Sequence, residues 1–376
     1  MNKSVIVVCS AVLASLLVVG LATAGYFKHR LDLLGNQIAA TDQRAPTMLI
    51  STSVVPSDVI LDHEVPRQIG DIVKAATAEE LKSKRAELIQ YIWSGSGLPK
   101  GDRLVSHPIS RANPFGNYHA SELYVDVGLA GISKPIFVQA ERSKGCLFVY
   151  HSGHEEGTSP AQPDAHLLMS LALVLGCDVI HSSMPNDGDN KQAEVVGDHN
   201  WLGEHETENF TPLRWFLDPA LQSIDWALSK QSYKQIIVAG RSGGGWTAGL
   251  LGALDPRINT TVVINGSMPF FVKGHRVKDI GDWEQTSSRI YNKVDYGDLY
   301  LLSAFEEGRT AYYSWNKYDT CCYAGARARV FFPVIQHQAA LWGITGLNFH
   351  VDDDLGAGHT ITSSSIGAVA KMILSR

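Results

Sequence analysis

The chain has 376 residues, of which 45% are hydrophobic. This length and composition exclude a disordered chain and fit one large globular domain with an N-terminal extension. The 32 basic residues against 38 acidic residues give a formal net charge of -6, and no block rich in lysine or arginine is present. Nucleic acid is therefore not an expected partner.

The first thirty residues, 1–30, contain an uncharged apolar stretch at 5–27 with basic residues on both sides. About 20 apolar residues are enough for a helix to cross a bilayer, so we expect a membrane anchor here. A cleaved secretory signal is the alternative, because Ala22-Thr23-Ala24 has the form of a cleavage site. The short N-terminus favours a protein that is anchored with the rest of the chain outside the cytoplasm, or secreted if the signal is cleaved.

Residues 31–103 are predicted to be a tether followed by a helical extension. The part at 31–57 has little hydrophobic periodicity. A helix is predicted over Ala78–Trp93, because Thr77 is a suitable N-cap residue and Glu80, three positions later, completes a capping box.

From residue 104 onwards, short apolar runs alternate with longer amphipathic segments. An antiparallel opening pair is predicted at 118–127 and 135–139. The further predicted strands lie at 146–150, 177–181 and 236–239, and the helices between them at 164–175 and 212–229. Strands that alternate with helices of this length are typical of a parallel, doubly wound sheet.

The stretch at 236–254 carries the strongest chemical signal. A β-branched run ends at Gly240, Ser242 follows two residues later, and Gly244 lies two residues beyond it. This is the G-x-S-x-G form of a nucleophile elbow. In such an elbow the serine lies in a strained turn, and the residues two positions before and two positions after it are glycines, which have no side chain. The sequence does not contain the lysine that a phosphate-binding loop requires.

On this motif and the strand order, residues 104–376 resemble the α/β-hydrolase superfamily. The resemblance implies a mostly parallel eight-stranded sheet flanked by helices, with serine, acid and histidine in that chain order. It also implies an oxyanion hole made by the N–H of Gly243 and an N–H from the loop after the third strand. That loop reads His151-Ser152-Gly153-His154, and we expect His154 to be the second donor, with Gly153 as the alternative.

The general base is expected to be His359. It lies after two glycines in the loop between the last predicted strand, at 347–351, and a terminal helix at 361–374, where the superfamily has its histidine. His350, inside the strand, is the weaker alternative and fits a packed side chain better.

The acid depends on which of two apolar runs, 299–305 or 311–315, is the seventh strand. The second run lies directly before a predicted helix at 327–342, and Asp319 follows its end by four residues. Asp319 is therefore the expected acid.

Glu306 or Glu307 would be the acid if the first run were the strand. The aspartates at 352–354 share the loop of the histidine and are the weakest alternative, because a solvated cluster of charges explains them better.

Two segments, 186–210 and 267–298, are expected to cover the mouth of the site. The second contains five aromatic residues that either line a pocket or pack the segment onto the sheet: Phe270, Phe271, Trp283, Tyr291 and Tyr296.

No metal is expected. His151, His154, Glu155 and Glu156 have ligand side chains, but on a loop they lack the helical spacing of zinc peptidases.

The five cysteines are too few for a disulfide scaffold. Cys146 and Cys177 are expected to be buried thiols. Adjacent Cys321 and Cys322 are not expected to bridge each other easily, and a bridge from either to another cysteine stays open.

The sequence thus predicts a serine hydrolase that cleaves a carboxylic ester or related acyl bond of a small molecule through an acyl-enzyme, with no cofactor. Three alternatives are an acyltransferase of the same fold, a serine peptidase, and a membrane-tethered binding module without catalysis.

Overall fold

The computed structural model describes residues 70–109, 115–154, 163–190, 199–273, 281–319, 321–323, 325–354 and 358–375. The predicted anchor at 5–27 and the tether at 31–57 lie outside these ranges and stay predictions. Within the described ranges, no helix combines the length and the apolar character that crossing a membrane requires.

One mixed sheet forms the centre of the domain. Its strands are Val105–Pro108 (β1), Ala120–Asp126 (β2), Ile132–Ser133 (β3), Ile136–Val138 (β4), Cys146–His151 (β5), Cys177–Ser182 (β6), Gln235–Arg241 (β7), Thr260–Ile264 (β8), Thr310–Asn316 (β9) and Leu347–Asp352 (β10). Their order is β1-β2-β4-β6-β5-β7-β8-β9-β10, with β3 paired to β2. Strands β5 to β10 run parallel, whereas β1 to β4 form antiparallel pairs and β4 joins β6 antiparallel.

The prediction of a mostly parallel sheet is correct for its central part, and the predicted number of eight strands is wrong. The sheet has ten strands in the described part of the chain. The extra strands lie at the antiparallel end, where β1 is exposed along its whole length and β3 has only two residues. Such short, exposed strands lack the apolar alternation by which a strand is recognised in a sequence.

The α-helices in the described ranges flank this sheet or cover its edge. They are Ala78–Trp93 (α1), Pro163–Leu175 (α2), Leu213–Lys230 (α3), Gly243–Leu254 (α4), Phe270–Lys273 (α5), Trp283–Thr286 (α6), Ser288–Tyr291 (α7), Tyr296–Leu302 (α8), Phe332–Leu341 (α9) and Ser363–Leu374 (α10). The cap predicted for α1 is present, because the Thr77 side chain accepts a hydrogen bond from the Glu80 N–H.

The choice between the two candidate seventh strands is settled by the structure. The run at 311–315 lies in β9, as predicted. The run at 299–305 overlaps α8 instead, whose capping box is formed by Asp295 and Asp298. Every residue of α8 is buried, and apart from Asp298 in its first turn the helix has no charged residue, so its sequence shows no polar face and no helical period.

The predicted helix at 327–342 is wrong as a single element. A 3₁₀ helix covers Gly325–Val330, and α9 begins only at Phe332 with Pro333 in its first turn. A proline ring is tolerated in the first turn of a helix but not in its interior, so the chain forms two elements here.

The core lies on both faces of the sheet. Alternate residues of β5 point to opposite sides: Leu147 and Val149 join one cluster of buried side chains, and Phe148 and Tyr150 join another. Helices α1, α3 and α4 contribute to the first cluster, and α2 and α10 to the second. A sheet covered by helices on both faces is the layered arrangement expected for a parallel core.

The cysteine predictions are wrong in both cases. Cys146 and Cys177 are register partners at the starts of the adjacent strands β5 and β6, and they form a disulfide. Neighbouring strands bring the two Cα atoms to 4.4 Å, a relation that only strand pairing reveals. Cys321 and Cys322 are also bonded to each other.

Candidate active site

Ser242 occupies the turn between β7 and α4. Its backbone has φ of 56° and ψ of -134°, an unfavourable region for a residue with a side chain. Its N–H donates to Ile264 O of the neighbouring strand at 3.1 Å, which fixes the turn to the sheet. The strained turn thus lies at the N-terminus of a buried helix, whose free N–H groups favour negative charge.

The two glycines of the motif are required by close backbone contacts. A Cβ atom on Gly240 would lie 2.3 Å from Gly244 O, and one on Gly244 would lie 2.1 Å from His151 O. Any side chain at either position would force β5, β7 and α4 apart. The spacing that suggested an elbow in the sequence is therefore imposed by packing.

Asp319 and His359 form a hydrogen-bonded pair. His359 Nδ1 lies 2.7 Å from Asp319 Oδ2, with the carboxylate fully buried and the imidazole 21% exposed. The other carboxylate oxygen accepts hydrogen bonds from the backbone N–H groups of Cys321 at 2.8 Å and Cys322 at 3.3 Å. Asp319 is thus held in place from both sides, and its histidine partner reaches the solvent-accessible surface.

The loop that carries His359 is held by two asparagine side chains at the ends of the strands β8 and β9. Asn316, the last residue of β9, donates to the carbonyl oxygens of Gly358 and Thr360 at 2.7 and 2.8 Å. Asn265, directly after β8, also donates to the carbonyl oxygen of Thr360. These asparagines have no motif around them, so the sequence analysis did not single them out.

Arg241, the residue before Ser242, joins the serine turn to the histidine loop. Its guanidinium donates to His359 O at 3.1 Å and to Asp164 Oδ2 at 2.8 Å. Asp164 Oδ2 also accepts the N–H of Ile361 at 2.8 Å. Arg241 and Asp164 therefore connect the serine turn to the backbone of His359 and Ile361.

No protein-family model and no curated protein matches this chain. Solved structures do. Methylesterase BT1017 is similar, with a TM-score of 0.54 and 14% sequence identity. The match covers 84% of this chain and 65% of the methylesterase chain, so this chain spans just under two thirds of the methylesterase's length. Acetyl xylan esterase 1 from Thermoanaerobacterium sp. JW/SL YS485 is similar with a TM-score of 0.52 and 14% identity, over 82% of this chain and 98% of its own.

A glucuronoyl esterase from Solibacter usitatus gives a TM-score of 0.52 and 14% identity, over 78% of this chain and 91% of its own. The chain has the α/β-hydrolase fold. In this fold, Ser242, Asp319 and His359 follow strands β7, β9 and β10 at the carboxyl edge of the parallel sheet, where ligands bind in open α/β sheets.

The loop after β5 lies against the start of α4, as an α/β-hydrolase fold requires of the loop that supplies an oxyanion donor. A Cβ atom on Gly243 would lie 3.7 Å from Cε1 of His154 and 2.7 Å from Sδ of Met184. His154 is thus next to the residue that follows the serine. The donor role of Gly243, His154 or Gly153 stays a prediction.

The alternative histidine and the alternative acids lie in other surroundings. His350 contacts Tyr312 and Ser364, and burial lowers its pKa, which fits a packed side chain. Glu306 is paired with Arg85 and Arg309. Among the other candidate acids, Glu307, Asp353 and Asp354 are exposed.

The two predicted cover segments contact each other. A 3₁₀ helix at His199–His205 packs on α6, where a Cβ atom on Gly203 would lie 2.5 Å from Nε1 of Trp283. Tyr291 and Tyr296 stack on each other in the core, and their hydroxyls bond to Trp246 and to Gln285 O, so they pack the segment rather than line a pocket. The side chains of Phe270 and Phe271 lie outside the described residues.

A second polar cluster lies beside the serine turn: His154, His199, Asp282 and Glu284. Burial opposes protonation of His199, but the neighbouring carboxylates of Glu284 and Asp282 outweigh it and raise its pKa to about 9. His151, by contrast, has its pKa lowered to about 4 by burial. Glu155 and Glu156, the other ligands considered from the sequence, lie outside the described residues.

Proposed function

We propose that this protein is a serine hydrolase that cleaves carboxylic esters through an acyl-enzyme, with Ser242 as nucleophile, His359 as base and Asp319 as the acid that orients it. The observation that supports this most is the buried Asp319–His359 pair, whose loop is hydrogen-bonded by Arg241, the residue next to the strained serine. A serine hydroxyl needs such a base to become a nucleophile at neutral pH.

In the proposed reaction, Ser242 Oγ attacks the ester carbonyl carbon and His359 Nε2 accepts the hydroxyl proton. Nδ1–H of His359 donates to Asp319, which keeps the imidazole in this tautomer and stabilises it when it becomes positively charged. The N–H of Gly243 and one from 153–154 bind the oxyanion. The histidine then protonates the leaving alcohol, and water attacks the acyl-enzyme in the same way.

The similar structures guide the choice of substrates to test. Their names describe esterases of acetylated xylan, of glucuronoyl esters and of methyl esters. At 14% identity this likeness supports the fold alone, so sugar-linked esters are candidate substrates and not an assignment. The ester class, rather than a particular alcohol or acid, is what the proposed site requires.

We expect the full-length protein to hydrolyse p-nitrophenyl acetate and at least one sugar ester, and to leave the matching p-nitroanilide at background rate. The panel should contain acetylated xylan fragments, a methyl glucuronate and an added acceptor alcohol, with products identified by mass spectrometry. Cleavage of the anilide at a comparable rate would indicate a peptidase. Esters of the added alcohol would indicate an acyltransferase. No turnover combined with no labelling by a fluorophosphonate would indicate a binding module.

Arg241→Met should lower kcat by about ten- to a hundredfold while changing KM little. Methionine keeps the apolar stem of the side chain but removes the guanidinium, and with it the hydrogen bond to His359 O and the ion pair to Asp164. Small displacements of catalytic groups cost rate in this range. Initial rates on p-nitrophenyl acetate give the two constants.

Arg257→Met is the matched control, because Arg257 is also paired with aspartates, Asp255 and Asp225, but these partners do not touch the histidine loop. Equal losses of kcat in the two variants would mean that Arg241 only stabilises the fold.

A further inference from the structure

Three ligand atoms of the polar cluster face one another at the separations of a metal site. His154 Nε2 lies 3.2 Å from His199 Nδ1 and 3.2 Å from Asp282 Oδ2, and His199 Nδ1 lies 3.9 Å from the same carboxylate oxygen. Ligands bonded to zinc at about 2.0–2.2 Å in a tetrahedron are separated by about 3.4 Å. The three atoms thus have room for one ion among them.

His199 is oriented as a metal-binding histidine is. Its Nε2 lies 2.9 Å from the carbonyl oxygen of Pro185, so in the neutral imidazole this nitrogen carries the proton and donates it. Once Nδ1 has lost its proton, as metal binding requires, its lone pair points towards His154 and Asp282. A backbone carbonyl that accepts the second N–H is the usual way in which proteins fix the tautomer of a histidine ligand.

Glu284 supplies an independent observation. Its side chain is 0% exposed, and neither carboxylate oxygen has a hydrogen-bond partner among the described residues. Oε1 lies 3.7 Å from His199 Nδ1, the nitrogen that also faces His154 and Asp282. A buried carboxylate that accepts no hydrogen bond is costly even with His199 as a charged neighbour, and a metal ion beside it would lower that cost.

We propose that His154, His199, Asp282 and Glu284 bind one divalent metal ion of the zinc class. Two imidazole nitrogens and two carboxylate oxygens form a four-ligand set that zinc accepts. The ion would join three separate parts of the chain: the loop after β5, the 3₁₀ helix at His199–His205 and the segment at the start of α6. This assignment goes beyond the proposed hydrolysis and does not depend on it.

The ion would act by holding the two predicted cover segments together, because His199 belongs to the first segment and Asp282 to the second. His154 lies beside Gly243, so holding its ring to the two cover segments also fixes the loop next to the serine turn. The sequence missed this set because its members come from positions 154, 199, 282 and 284, which no short motif links.

Zinc titration of the full-length protein, after removal of metals with a chelator, tests the assignment. We expect one Zn²⁺ per chain by calorimetry, a higher unfolding temperature with zinc bound, and the visible absorption of tetrahedral Co²⁺ when cobalt replaces zinc. His154→Ala, on a half-exposed side chain, and Glu284→Gln should each weaken zinc binding, by about a hundredfold for the direct imidazole ligand.

His205→Ala is the matched control, because His205 lies in the same 3₁₀ helix but its ring contacts Trp215 outside the cluster. It should bind zinc as the parent does. A parent protein that takes up no zinc at millimolar concentration would overturn the proposal, as would zinc binding that His154→Ala and Glu284→Gln leave unchanged. Neither result would bear on ester hydrolysis, which is measured separately through Ser242.

Discussion

Ser242→Ala should reduce ester hydrolysis by about 10⁶-fold in kcat and abolish covalent labelling by a fluorophosphonate. The substitution removes the nucleophilic oxygen and leaves the backbone of the turn, since alanine and serine have nearly the same difficulty with a φ of 56°. The folded state should therefore be kept, with an unfolding temperature close to that of the parent. Activity assays, gel labelling and mapping of the labelled peptide provide the three measurements.

Ser83→Ala is the control for this experiment, because Ser83 is an exposed serine on α1 that bonds only locally to Glu79 O. It should keep full activity and full labelling. Labelling that persists in Ser242→Ala, or a labelled peptide that does not contain Ser242, would show that another residue is the nucleophile. The elbow would then be structural.

Asp319→Asn should lower kcat by up to about 10⁴-fold and leave KM nearly unchanged. An amide in place of the carboxylate cannot stabilise the positively charged imidazole, and its NH₂ group favours the wrong tautomer of His359. The carboxylate also accepts the N–H groups of Cys321 and Cys322, so the unfolding temperature should be recorded beside the rate. A pH profile of kcat separates loss of the orienting charge from general damage.

Substitutions of the other candidate acids are the controls for the kcat of Asp319→Asn. Glu307→Gln and Asp353→Asn alter exposed carboxylates and should stay within about tenfold of the parent rate. Glu306→Gln should lower stability rather than kcat, because Glu306 is paired with Arg85 and Arg309. Tolerance of Asp319→Asn together with a large loss of kcat in Glu306→Gln or Glu307→Gln would assign the acid to the segment between α8 and β9.

The sequence by itself determined the features that depend on neighbours along the chain. The strand, turn and helix around Ser242 follow from a β-branched run, glycines at fixed distances and a small-residue helix, and the N-cap of α1 follows from Thr77 and Glu80. The choice of 311–315 as the seventh strand, and with it Asp319, rested on the helix that follows. The first two signals lie within a few residues, where local geometry decides the outcome, and the third depends on elements that follow each other along the chain.

Only the tertiary structure decided how distant segments meet. The disulfide between Cys146 and Cys177 depends on the pairing of β5 with β6, and the support of the His359 loop by Asn265 and Asn316 depends on the order of three strands. The edge strands and the cluster around Glu284 depend likewise on contacts between parts of the chain far apart in sequence. The partner of a side chain cannot be deduced from the sequence when the two residues are far apart in the chain, because hydrogen bonds and ion pairs form only within about 3 to 4 Å and the folded backbone decides which groups come that close.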